Sequence, residues 1–202
     1  LLRKLSLAEN TLVVFSSDNG PDTDGGFDPQ TFNPTGPLRG LKRDLYEGGI
    51  RVPTIAWWPG VIAPGRISRH IGYFGDVLAT FAELAGTPAP TGLDSLSFAA
   101  ELRGQPQTAR ESLYFEFVER GGKQAVRMGR WKAVRHGLTG GPIELYDLEQ
   151  DLGEAHDLAS AHPDVVAELT AIMDREHVAD ERWKAGGTRR ESPPPGNGVA
   201  PF

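Results

Sequence analysis

The spacing of apolar residues changes character several times along the chain. Leu1, Leu2, Leu5 and Ala8 fall near helical spacing and predict the end of an amphipathic helix that stops near Glu9 and Asn10. The run 11–15, Thr-Leu-Val-Val-Phe, is short, unbroken, β-branched and aromatic, which predicts a strand buried on both faces, as in a parallel sheet. A second such run, 52–58, stops at Pro59 and Gly60. Doubly buried strands need neighbours, and the chain supplies too few. The two runs are joined by a Gly-, Pro-, Asp- and Asn-rich stretch much longer than a typical connection, the kind of loop that carries function. Asp76 then stands at the N-cap of a helix whose Val77, Leu78, Phe81, Leu84 and Ala85 share one face, and which ends at Gly86 and Pro88.

From Ser112 the pattern shortens to strand-like runs at 113–118, 125–128, 131–134 and 143–146, joined by Gly121-Gly122 and Gly140-Gly141, which predict an antiparallel sheet. Pro163 and Asp164 open a last helix, with Val165, Val166, Leu169, Ile172 and Met173 on the face that would cover that sheet. No internal repeat is present. The Gly- and Pro-rich segment 186–202 reads as an extended tail.

At 202 residues, 39% hydrophobic and 24% charged, the chain has the composition of a folded protein. A net charge of −6 without a long Lys/Arg run argues against a nucleic-acid or anionic-membrane surface. With no cysteine, disulfides and thiolate metal sites are excluded. The longest apolar runs fall well short of the roughly 20 residues that cross a bilayer. The opening Leu1-Leu2-Arg3 carries neither an initiating Met nor a signal-type apolar core, so it reads as the interior of a longer protein.

Candidate chemistry begins directly after the first strand, at Ser17-Asp18-Asn19-Gly20, since the ends of strands in α/β folds are where sites are built. Asp18 and Asn19 offer adjacent carboxylate and amide oxygens, a pairing suited to a hard cation such as calcium; the same tripeptide also favours a plain turn. An EF-hand through Asp22 and Asp24 fails on register, because Gly20 and Thr31 stand where acids are required. The second cluster, 36–53, sets Arg39, Lys42 and Arg43 among glycines that let backbone approach an oxyanion closely. A solvated basic turn with a local Arg51–Glu47 ion pair is the competing reading. The five histidines, His70, His136, His156, His162 and His177, show no metal-ligand spacing.

Taken together, Ser17 to Gly20, Leu38-Arg39-Gly40-Leu41-Lys42, Tyr46-Glu47-Gly48-Gly49-Ile50-Arg51-Val52-Pro53 and Trp58-Pro59-Gly60 closely resemble the ordered motifs of the sulfatase family in the alkaline phosphatase superfamily. Arg130-Trp131-Lys132 and the segment 145–159, with Asp147, Glu149, Asp151, Glu154 and Asp157, extend the resemblance to about residue 180. It implies an α/β fold: the C-terminal part of an alkaline-phosphatase-like α/β/α sandwich over 1–105, an antiparallel subdomain with a C-terminal helix over 106–185, and a tail over 186–202.

The resemblance further implies that Asp18 and Asn19 are calcium ligands and that Lys42, the one catalytic candidate, contacts the substrate's sulfate group. Arg39 and Arg51 read as structural, Glu47 as a loop anchor and Arg43 as a solvated neighbour of Lys42. The family nucleophile is a formylglycine made from Cys or Ser in a Cys/Ser-x-Pro-x-Arg motif, which this sequence lacks. That group, the paired aspartates of the calcium site, a histidine and a second lysine are expected upstream, so the chain alone is expected to be inactive and to self-associate or to pair with the N-terminal half of the same protein. The full enzyme would hydrolyse sulfate esters. Phosphomonoesterases and phosphonate hydrolases of the superfamily commonly carry Asp-His where this chain has Asp18-Asn19, and Asn suits calcium where imidazole suits zinc. A non-catalytic remnant that keeps the fold is the reading of another class. The family's exported or lysosomal members set an expectation for location that the motifs here do not decide.

Overall fold

Strict alternation, period two, organises the second half of the chain. The computed structural model describes residues 1–23, 26 and 28–181. Strands β3 (Leu113–Phe117), β4 (Lys123–Met128), β5 (Trp131–His136) and β6 (Ile143–Asp147) form one antiparallel sheet in that order. The register aligns Val126 with Ala133 and Ala133 with Leu145, so these three side chains share one face. On that face lies the helix Pro163–Glu176, numbered α5 below, whose Leu169, Ile172 and Met173 pack against them. Leu169, Met173 and Leu145 are fully buried, each stabilising by about 1.5–3 kcal/mol. Pro163 sits in the first helical turn, where its missing N–H costs nothing.

The opposite face of the sheet, carrying Ala125, Val134 and Tyr146, packs on Leu45 and Tyr46 from the first half of the chain. These two residues lead directly into α2 (Glu47–Ile50), a single turn whose three leading residues are buried. The sheet is thus covered by α5 on one side and by the glycine-rich loop cluster on the other. It is this second packing that positions the site.

The first half departs from expectation in several places. The opening segment is two 3₁₀ turns, Arg3–Leu5 and Ala8–Asn10, rather than the end of an amphipathic helix, because Ser6 adopts a left-handed conformation (φ +56°) between them. Strands β1 (Val13–Ser16) and β2 (Thr54–Trp57) pair antiparallel, Val14 opposite Ala56. An unbroken apolar run specifies burial, not strand direction. Nor are these strands doubly buried here: Phe15 is 65% and Ile55 62% exposed, since among the described residues each strand pairs only with the other.

Helix α3 (Asp76–Leu84) starts one residue earlier than expected, with Gly75 at the N-cap. Asp76 is instead buried inside the first turn, where its carboxylate accepts the N–H groups of Tyr73 (3.1 Å) and Leu96 (2.7 Å) and pairs with Arg110. Leu78 and Phe81 of this helix, with Phe74 before it, remain exposed. Short helices α1 (Pro29–Phe32) and α4 (Ala99–Leu102) were not signalled by periodicity. No helix among the described residues is long and apolar enough to cross a membrane. The tail expected at 186–202 lies outside the described residues.

Candidate functional site

Two loops interlock at the end of β1. Gly20 N–H donates to the Gly49 carbonyl (2.9 Å), Lys42 N–H to the Pro21 carbonyl (2.9 Å), and Gly48 N–H to the Arg39 carbonyl (2.7 Å). Only glycine fits here: a Cβ on Gly20 would press on the Gly48 carbonyl and stand 2.9 Å from the Gly49 Cα, while one on Gly48 would stand 2.9 Å from the Arg39 carbonyl carbon. The motif glycines of 18–20 and 46–49 therefore bring two distant loops into backbone contact.

This interlock carries the three predicted residues. Asp18 and Asn19 follow β1 by two and three residues; the Ser17 hydroxyl donates to the Asn19 carbonyl (2.8 Å), which fixes the turn, and Asp18 is exposed while Asn19 is half-buried. Asp18 also lines an apolar groove with Val14, Phe74, Val77, Phe81 and Phe98. Lys42 is held beside the same turn by its own amide, and its Nζ lies 2.7 Å from the Asp22 carboxylate. Asp22, which the motifs passed over, is therefore a counter-charge for the predicted sulfate-binding lysine. Arg43 is not the solvated neighbour expected. It adopts φ +77°, and its guanidinium lies 3.8 Å from both Asp22 and Glu119.

Below the loops lies a buried ion cluster. Lys132 Nζ, on the loop-facing side of β5, donates to Glu47 Oε1 (3.0 Å) and lies 2.8 Å from Glu154 Oε1, a charge contact without hydrogen-bond alignment. Glu154 Oε2 accepts the Glu47 N–H at 2.6 Å. Arg51 reaches Glu47 Oε2 at 3.3 Å, the ion pair foreseen as local, and Arg127 stands 3.8 Å from the same oxygen. Burial alone would raise the Glu47 carboxyl; the charge and hydrogen bond of Lys132, with Arg127 and Arg51, outweigh it and hold Glu47 below the ordinary carboxylate range. Glu154 goes the other way: burial, with the negative Glu47 beside it, pushes it up against the pull of Lys132. Lys132 and Glu154 lie in motif segments but received no role from sequence. The signal was there, since period two puts Lys132 on the same buried face as Val134, and a lysine there demands counter-charges.

Arg39 is structural, as read. Its guanidinium stacks 3.8 Å from the Tyr46 ring centroid and donates to the Tyr146 hydroxyl (2.7 Å) and the Glu154 carbonyl (3.1 Å). Glu144 gathers the hydroxyls of Tyr46 (2.6 Å) and Tyr146 (2.8 Å), with His136 at 3.2 Å. Burial would raise this carboxyl; the two tyrosine hydrogen bonds, then His136, hold it low instead.

As a metal centre the donor set is oxygen-only, one carboxylate and one amide on an accessible turn, which fits a hard cation such as calcium. Two residues supply only part of its roughly 6–8 oxygens. Among the described residues no group of three or more His, Cys, Asp and Glu is placed to hold a metal.

The family model described as Sulfatase matches residues 1–87. Human arylsulfatase A is 37% identical, aligned over 84% of this chain and 38% of its own length. The N-acetylgalactosamine-6-O-sulfatase of Bacteroides thetaiotaomicron is 32% identical, over 86% of this chain and 37% of its own. Among solved structures, one from Bacteroides thetaiotaomicron glycosaminoglycan metabolism superposes with a TM-score of 0.72 at 31% identity, covering 86% of this chain and 40% of that one. The chain thus spans less than two fifths of the curated relatives just named. The fold is that of the corresponding part of these alkaline-phosphatase-like enzymes, and the chain belongs to the sulfatase family.

Proposed function

We propose that the full-length protein is a calcium-dependent sulfatase hydrolysing sulfate esters, to which this chain contributes two metal ligands and one sulfate-binding cation. The observation that carries the reading is the backbone interlock that sets Lys42 against the Asp18-Asn19 turn, two loops joined by glycines that no other residue could replace.

In this reading Asp18 and Asn19 hold part of the calcium shell. Bound there, calcium would neutralise charge on the sulfate oxygens as the S–O bond breaks. Lys42 supplies a fixed second cation, its ammonium passing from Asp22 to a sulfate oxygen when substrate enters. Asp22 holds that ammonium extended until then. Gly20 and Gly49 hold the spacing between the two charges. The nucleophile comes from a formylglycine motif outside this sequence, so the chain alone turns nothing over. The exposed apolar face of β1, β2 and α3 is covered in the full-length protein by its upstream α/β half.

Steady-state assay of the full-length protein on paired aryl sulfate and aryl phosphate substrates tests the reading. Sulfate turnover well above phosphate turnover, abolished by a chelator and restored by calcium, is expected. Zinc-supported phosphate hydrolysis with no sulfate turnover would replace it with a phosphomonoesterase, and absence of both activities would leave a non-catalytic relative.

A further inference from the structure

The loop bearing Lys42 is tied at both flanks to a single residue beneath it, Glu154, in the segment that follows β6. On the N-terminal flank the Arg39 guanidinium donates to the Glu154 backbone carbonyl (3.1 Å). On the C-terminal flank the Glu47 amide donates to the Glu154 carboxylate (2.6 Å). Lys42 lies between the two. We propose that Glu154, set against Lys132, is a positioning residue that clamps the 39–47 loop and so sets where Lys42 and the Asp18-Asn19 turn stand relative to each other. The inference rests on the sulfatase reading above.

Three observations favour a clamp over a mere stabilising contact. Glu154 is completely buried and adopts φ +53°, a backbone region where glycine is the inexpensive residue. A glutamate kept there implies that its carboxylate is needed where it points. Secondly, Lys132 and Glu47 are also buried, and ion clusters taken out of water are no more stable than apolar packing of the same volume. What such a cluster supplies is a fixed geometry among segments that are far apart in sequence. Thirdly, the clamp passes its position on through stiff contacts. Glu47 opens α2, Gly48 binds the Arg39 carbonyl, Gly49 receives Gly20, and Gly20 adjoins Asn19.

Chemically, the clamp neither touches substrate nor moves a proton. It acts by holding a cation at the place where charge develops, and a displacement of about 1 Å at such a group can cost on the order of 10² in rate. Its loss should therefore fall on kcat more than on KM.

The test uses the full-length protein with four variants. Glu154→Gly removes the carboxylate while relieving the left-handed backbone. Arg39→Met cuts the other tie at a residue with a 41% exposed side chain, and so keeps the question open should the first variant not fold. Asp174→Asn breaks the Arg135 pair beneath α5, on the face of the sheet away from the loops, and serves as control. Amide hydrogen exchange read by mass spectrometry and steady-state kinetics on an aryl sulfate are the two measurements.

Expected for Glu154→Gly and Arg39→Met are exchange at least about tenfold faster in peptides covering Gly20 and 47–49, unchanged exchange in β4 and β5, and kcat lower by about 10–100-fold with a smaller change in KM. Glu154→Gln, which keeps an acceptor for the Glu47 amide, should recover most of kcat. Wild-type exchange in those peptides, or faster exchange spread evenly through the sheet, would overturn the clamp. So would a fall in kcat matched by Asp174→Asn. If the wild-type protein hydrolyses no sulfate ester, the functional reading fails, while the exchange measurement still decides the clamp.

Discussion

Replacing Gly20 with alanine puts the interlock of the two loops to a quantitative test. The added Cβ would press on the Gly48 carbonyl and stand 2.9 Å from the Gly49 Cα, against about 3.5–4.0 Å for a comfortable carbon contact. Every obstacle is backbone, so no side chain can swing away. Overpacking of this kind costs about 1–3 kcal/mol. Separating the loops to relieve it lengthens the 2.9 Å bond from the Gly20 amide to the Gly49 carbonyl, worth a further ~0.5–1.5 kcal/mol. The total is about 1.5–4.5 kcal/mol. Gly129→Ala is the comparison: it meets nothing within 4 Å but must hold φ +56°, a left-handed penalty of about 1–2 kcal/mol. Urea denaturation read by tryptophan fluorescence measures both. Gly20→Ala should lower the midpoint more than Gly129→Ala, although its own backbone is not left-handed. A Gly20→Ala midpoint within error of wild type would mean that the loops are not held in contact and would undo the positional argument for Asp18, Asn19 and Lys42.

Two further outcomes follow from the same contacts. Glu144 is held below its ordinary 4.5, so its stabilising contribution is complete above that value and is lost as pH falls through the depressed folded-state value; Glu144→Gln should flatten the acid limb of a stability-versus-pH curve, and an unchanged limb would remove Glu144 from the account. The isolated chain, with Phe15, Ile55, Leu78 and Phe81 exposed, should self-associate in light scattering or bind an apolar dye, less so for Phe15→Ser/Ile55→Ser; a strictly monomeric chain that binds no dye would contradict the covered-face argument.

What the sequence made legible follows from locality. The antiparallel sheet and α5 could be read because periods of two and 3.6 are local signals reinforced by Pro163 and by glycine turns. Asp18, Asn19 and Lys42 were named because the short motifs around them resemble those of the sulfatase family, while spacing and charge alone left a plain turn and a solvated basic turn open. Strand direction at β1 and β2 was not legible, since pairing partners are set by the rest of the sheet rather than by Val13, Val14 and Phe15 themselves. Lys132 and Glu154 escaped because they meet Glu47 across 85 and 107 residues of sequence, and charged residues read one at a time look like surface. Asp22 was set aside because it failed the EF-hand register, yet its carboxylate lies 2.7 Å from Lys42 Nζ.

The central claim, that Lys42 is the sulfate-facing cation of a sulfatase site, is tested most directly by comparing Lys42→Ala with Arg43→Ala in the full-length protein on an aryl sulfate. Both side chains approach Asp22, at 2.7 Å and 3.8 Å, so each variant gives up a contact with that carboxylate. Removing a preorganised cation aimed at transition-state charge lowers kcat by about 10²–10³, roughly 3–4 kcal/mol. Lys42→Ala should show that loss with little change in thermal stability, and Arg43→Ala less than about tenfold. Equal and small effects at the two positions would contradict the account and return the basic loop to ordinary surface.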